Sequence, residues 1–257
     1  MEASVNHHRR GSGSPIVLIH GIGSRWQVWS PLLDRLAEQH EVIALDLPGF
    51  GDTPPDGGSG SVPYLADRVA AFLREIGVQR PAVGGSSLGG GIALELGRRG
   101  LARSVVAFSP VGFFTRAEAT WCRAVVTAAR AGGTALGPAL PALMRTRPGR
   151  TALCGLFYGK PAELSPDDCV ADARALIAAP GFAKARRRLG RWRLTEEPTG
   201  LPVTIAWGDR DLVLPIRQAQ RARQVLPHAR HVRLNGCGHL PFADDPRTCA
   251  RLLLEAS

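Results

Sequence analysis

Several short stretches of this chain are apolar almost without interruption, and that pattern limits what it can fold into. They are residues 16–20 (IVLIH), 42–46 (VIALD), 81–85 (PAVGG), 104–109 (SVVAFS) and 203–207 (VTIAW), with 231–234 (HVRL) as a sixth candidate. Each is short and ends in glycine or proline turns, as strands do. A strand with one wet face alternates apolar and polar residues. A strand apolar on both faces belongs in a parallel sheet covered on both sides. Helical spacing fills the gaps, at 29–38, 62–76, 88–99, 216–225 and 246–255. Strands alternating with helices predict an α/β fold, a doubly wound and mostly parallel sheet.

One region breaks the alternation. Residues 110–196 contain no convincing strand, and six prolines divide their Ala-, Leu- and Arg-rich segments. This predicts a helical insertion between two sheet strands, with 1–109 and 197–257 forming the core. At 257 residues the chain suits one core with an inserted subdomain. The insertion holds fourteen Lys and Arg against six Asp and Glu, hence eight of the ten net positive charges. The excess is mostly arginine and reads first as solvated surface. No helix-turn-helix, zinc-finger or aromatic-basic pattern points to a specific nucleic-acid partner.

No apolar run approaches the roughly 20 residues that cross a bilayer, so no membrane span is expected. Residues 1–14 are polar, without the apolar core of a signal peptide. Five scattered cysteines with no C-x-x-C pair argue against a disulfide framework or a zinc site. The expectation is a cytoplasmic protein without metal or organic cofactor.

The chemistry begins at Gly85-Ser86-Ser87-Leu88-Gly89, a G-x-S-x-G pattern between a strand and a helix. Small neighbours let the backbone turn sharply there and lift the serine hydroxyl above the sheet. The pentapeptide alone is weak, and a phosphate-cradling turn is its rival. No Walker lysine follows and no G-x-G-x-x-G is in place. A serine needs a base to become a nucleophile, and histidine suits neutral pH. His7, His8, His40, His228 and His231 lie in polar or turn contexts and read as surface residues. His239, in Gly236-Cys237-Gly238-His239-Leu240-Pro241, follows the last strand, at the sheet edge where open α/β folds place their sites. Asp209 or Asp211, in Gly208-Asp209-Arg210-Asp211, could orient the imidazole; Asp211 is preferred and Asp209 held in reserve. Ser87, Asp211 and His239 then each follow a separate strand. An oxyanion hole needs two backbone N–H groups, from Leu88 and from Ile22 in His20-Gly21-Ile22-Gly23.

With these residues in view, the chain resembles a capped α/β-hydrolase along nearly its whole length. The matching residues are His20-Gly21, Asp46-Leu47-Pro48-Gly49-Phe50-Gly51, Gly85 to Gly90, Gly208 to Asp211 and Gly238-His239. The resemblance implies that Asp211 is the acid, that 110–196 is the cap over the site, and that Asp46 serves a structural turn. Fifteen residues precede the strand that leads into the His20-Gly21 turn, so the family's usual first strand is expected to be missing or very short.

The resulting expectation is a serine hydrolase acting through an acyl-enzyme on a small-molecule acyl substrate, first of all a carboxylic ester. Thioester, lactone and C–C hydrolases share the machinery, and a lyase or a non-catalytic ligand-binding scaffold are the other readings. Phe113, Phe114, Trp121, Phe157, Tyr158, Phe182 and Trp192 are candidate pocket walls. The basic run 183–193 (AKARRRLGRWR) is either a solvated helix face or a clamp for an acidic substrate.

Overall fold

In the computed structural model, which describes residues 4–257, the six runs become six of the strands of one seven-stranded sheet. In chain order the strands are β1 (His7–Arg10), β2 (Pro15–Ile19), β3 (Glu41–Leu45), β4 (Ala82–Ser86), β5 (Ser104–Phe108), β6 (Val203–Gly208) and β7 (Arg230–Leu234). Their spatial order is β1-β3-β2-β4-β5-β6-β7. All pairings are parallel except β1 with β3, which runs antiparallel from His7 opposite Leu45 to Arg10 opposite Val42.

Burial on both faces explains the continuous apolar runs. Ile16 and Leu18 of β2, Val42 and Ala44 of β3, and Val106 and Phe108 of β5 point into one core. Val17 and Ile19, Ile43 and Leu45, and Val105 and Ala107 point into the other. Helices α1 (Ser30–Ala37) and α10 (Pro246–Glu255) cover the first face, where Trp29, Phe108 and Phe242 form an aromatic trio with centroids 4.2–6.1 Å apart. Helices α2 (Val62–Glu75), α3 (Leu88–Arg98) and α9 (Arg217–Val225) cover the second.

The first strand exists and is very short. Its sequence, HHRR, carries no apolar signal because it is a half-exposed edge strand. His7 and His8 therefore correct the surface reading made from sequence. They are half-buried, His7 against the Phe72 ring and His8 stacked on Trp26 with centroids 4.5 Å apart.

Between β5 and β6 the chain is helical: α4 (Arg116–Leu136), α5 (Leu140–Arg145), α6 (Arg147–Cys154), α7 (Pro166–Ala178) and α8 (Phe182–Arg188). A capping box of Thr115 and Glu118 starts α4. Glu118, only 2% exposed, also receives Arg217 at 2.7 Å and Arg221, which tie α4 to α9. Burial pushes the Glu118 carboxyl up, but hydrogen bonds from Arg221, Thr115 and Arg217 outweigh it and bring it down to about 2. Among the described residues no helix is long and apolar enough to cross a membrane.

A carboxyl depressed in the folded state stabilises at pH above its unfolded value, and that contribution is lost as pH falls through the folded value. Glu118→Gln should therefore cost about 2 kcal/mol at neutral pH. Wild-type stability should fall more steeply than the variant's as pH drops from about 4.5 toward 2. Urea unfolding at neutral and acid pH checks this; parallel pH curves for the two proteins would refute it.

Candidate active site

The loops after β2, β4, β6 and β7 meet at the carboxyl edge of the sheet, and each carries one part of the site. Ser87 sits between β4 and α3 at φ 55° and ψ −112°, a conformation that costs of order 1–3 kcal/mol for a residue with a Cβ. Three backbone bonds hold it there. Its N–H donates to Phe108 O at 2.9 Å, and its carbonyl accepts from Gly91 N at 3.1 Å and Val111 N at 3.0 Å. The turn also needs bare backbone beside it. A Cβ on Gly85 would lie 2.2 Å from Gly89 O, and one on Gly89 would lie 2.1 Å from Ile19 O. The glycines of the pentapeptide thus let α3 sit directly against β2 and β4.

His239 and Asp211 are each 4% exposed, and His239 Nδ1 lies 2.8 Å from Asp211 Oδ2. The other carboxylate oxygen, Oδ1, accepts from Val213 N at 2.9 Å and Leu214 N at 2.8 Å. With Oδ1 so held by two main-chain donors, Oδ2 is left to orient the imidazole. Asp209 is occupied elsewhere. It accepts from Gly236 N at 2.8 Å and from Arg233 at 3.1 Å, so it braces the turn that leads to His239. The geometry thus puts His239 against Asp211, the preferred aspartate, and not against Asp209, the reserve.

Leu88 is the first residue of α3, and the first N–H groups of a helix have no intrahelical acceptor. Among the described residues, Ile22 N–H also has no backbone acceptor. Ile22 and Ser87 line the same cavity. His20 steadies that loop. Leu47 N–H donates to its Nε2 at 3.0 Å, which fixes the other nitrogen as the donor to Gly21 O at 2.7 Å. Burial pushes the His20 imidazole toward its neutral form, against the pull of Asp46. Asp46 itself accepts from Trp26 N, Asn6 Nδ2 and Asp52 N at 2.7–3.1 Å, and so serves the turn.

Ser87 and His239 open onto one cavity of about 290 Å³, near the lower end of the roughly 300–1,000 Å³ usual for ligand pockets. No hydrogen bond joins Ser87 to His239 among the described residues; such bonds often tighten only when substrate binds. The walls differ from the sequence expectation. Of the seven candidate aromatics only Phe157 and Tyr158 line the cavity. Phe113, Phe114 and Phe182 are core residues, Trp192 packs against Gly91 and Gly112, and Trp121 is half-exposed with its Nε1 donating to Leu212 O. The wall is instead shared between small residues and aliphatic side chains such as Leu140, Met144 and Leu176. Cys122, Val126, Ala129 and Gly133 recur at helical spacing along α4, a signal that was present in the sequence. No residue of the basic run 183–193 lines this cavity; Arg187 and Arg188 are exposed, while Phe182, Ala185 and Leu189 face inward.

Cys122 does not compete as a nucleophile, because burial and the nearby Asp211 push its thiol up to about 12. Among the described residues, the one carboxyl on the cavity wall is Asp172 of α7. Burial raises it, while Arg25, 3.5 Å away, draws it back. Among the described residues no group of three or more His, Cys, Asp or Glu is placed to hold a metal ion.

Comparison with known proteins adds to this geometry. Residues 16–252 match the model of the alpha/beta hydrolase family. The chain is 32% identical to the pimeloyl-[acyl-carrier protein] methyl ester esterase of Aromatoleum aromaticum, over 93% of this chain and 96% of that protein. It is 30% identical to an uncharacterized protein of Mycobacterium tuberculosis, over 92% of this chain and 73% of that one. Among solved structures, a membrane phospholipase A described as a bacterial virulence factor aligns with TM-score 0.76 and 26% identity, covering 98% of this chain and 86% of that one.

Gly89→Ala should lower stability by about 1–3 kcal/mol, since its new methyl would meet the Ile19 carbonyl and force α3 off the sheet. Urea unfolding measures it, and an unchanged midpoint would show that α3 has slack at this contact.

Proposed function

The chain belongs to the alpha/beta hydrolase family, and on that premise we propose that it hydrolyses a carboxylic ester through Ser87, His239 and Asp211 by way of an acyl-enzyme. The observation that carries this reading is the buried 2.8 Å His239–Asp211 pair opening onto the same cavity as the strained Ser87.

In this mechanism His239 Nε2 removes the Ser87 proton as Oγ attacks the ester carbonyl. Asp211 keeps the Nδ1 proton in place and stabilises the imidazolium that forms. The Leu88 and Ile22 N–H groups receive the oxyanion; both are main-chain donors, already oriented before the charge develops. His239 returns the proton to the leaving alcohol, then activates a water that cleaves the acyl-enzyme.

The helices between β5 and β6 act as the cap over this site. Together α4, α5, α6 and α7 supply most of the cavity wall. A largely apolar cavity of about 290 Å³ suits an aliphatic acyl group of modest size. The esterase relative supports the ester reading for this chain.

A p-nitrophenyl ester series from acetate to decanoate tests the proposal. Wild type should turn over, Ser87→Ala should fall to a residual rate, and Asp211→Asn should lose on the order of 10⁴ in kcat. Asp209→Asn, whose amide oxygen can still accept from Gly236 N, should lose far less than Asp211→Asn. Folded wild type that hydrolyses no ester and takes no fluorophosphonate label at Ser87 would overturn it.

Ala129→Phe places a ring in the cavity wall and should move the chain-length optimum to shorter esters, with activity on acetate retained. An unmoved optimum would mean that the acyl group lies elsewhere.

A further inference from the structure

The proposed reaction uses three side chains, yet a fourth side chain near the site, the Asp244 carboxylate, accepts as many hydrogen bonds as Asp211 and belongs to none of them. Asp244 is 5% exposed. Its Oδ2 accepts from Gly238 N at 2.8 Å and from Gly159 N at 2.8 Å, and its Oδ1 accepts from Lys160 N at 2.8 Å. Its own carbonyl accepts from Lys160 Nζ at 3.0 Å. The cap of α10 does not explain this, because the neighbouring Asp245 fills that role by accepting from Thr248 N at 3.1 Å.

The partners of Asp244 come from two places. Gly238 immediately precedes His239, whereas Gly159 and Lys160 belong to the insertion. The contact between those two segments is close along its length. On the other side of His239, Leu240 N donates to Phe157 O at 2.9 Å. A Cβ on Gly159 would lie 2.0 Å from Gly236 O, and one on Gly238 would lie 2.7 Å from the Tyr158 backbone. Both amides flanking His239 are therefore fixed, one by Asp244 and one by the insertion itself. Phe157 and Tyr158 also line the cavity.

We propose that Asp244 is a positioning residue for His239, and that through residues 157–160 it makes the placement of the imidazole depend on how the acyl group fills the cavity. This rests on His239 being the general base. Among the described residues the one hydrogen bond to the His239 side chain is that with Asp211, so its reach toward Ser87 follows where the backbone of residues 238–240 lies. An acyl group pressing on Phe157 and Tyr158 acts on the strap that fixes that backbone. Acyl fit is then expressed in the transition state, and it appears in kcat more than in KM. A displacement of about 1 Å at a general base is enough to cost on the order of 10²-fold.

Asp244→Asn keeps the shape but offers one acceptor oxygen and an NH₂ group that opposes the clustered N–H donors. Measured across the p-nitrophenyl ester series, and normalised to sites labelled by fluorophosphonate, its kcat on the best ester should fall about 10–100-fold with KM little changed. Its kcat should also lose most of its dependence on chain length, and Asp244→Glu should recover part of the loss. If Asp244→Asn does not fold, Gly159→Ala carries the test with the same readouts, because it displaces the strap and leaves the carboxylate intact. A variant with wild-type kcat per labelled site and an unaltered chain-length profile overturns the proposal, even if its urea midpoint drops. Wild type that is neither labelled nor active removes the ester-hydrolase reading and this proposal with it; an active wild type beside an indifferent variant removes this proposal alone.

Discussion

The turn at Ser87 is the constraint on which the surrounding structure depends. A serine at φ 55° is tolerated only where its neighbours fix it from several sides. Here β5 supplies the acceptor for its N–H, while Gly91 and Val111 take its carbonyl. The glycines at 85 and 89 allow the strand–helix approach that this geometry requires. Once α3 is packed against β2 and β4, its first N–H and the loop after β2 converge on one point above the sheet edge. The same parallel order brings the loops after β6 and β7 there as well.

The electrostatic arrangement follows the same economy. Buried charge is acceptable where it is bonded. Asp211, Asp46 and Asp244 are buried carboxylates, and each is met largely by main-chain N–H groups. Such donors are fixed by the fold and lose no side-chain entropy. Glu118 is the contrasting case, satisfied by two arginines that join the insertion to α9. The insertion is thus bonded to the core at its start and again beside the proposed general base.

Much of the fold was legible because burial on both faces leaves a continuous apolar signature. The strands from 16 to 207 were readable for that reason. β1 was not, since a polar edge strand is defined by its pairing with β3 rather than by its own composition. The cavity wall was half-legible. The small residues of α4 recur at helical spacing, but attention to aromatics pointed to side chains that are mostly core. Asp244 gave no signal, because an aspartate before a helix reads as a cap.

The sequence by itself determined a mostly parallel sheet alternating with helices, and singled out Ser87, His239 and the Asp209–Asp211 turn as candidates. Those depend on local pattern: apolar runs, glycine at a sharp turn, and loops that follow strands. Only the tertiary structure decided between Asp209 and Asp211, chose which walls face the cavity, and joined residues 157–160 to the histidine loop. Each of those depends on contacts between segments far apart in the chain, such as His239 with Asp211 across 28 positions and Gly159 with Asp244 across 85, a distance over which local pattern carries no information.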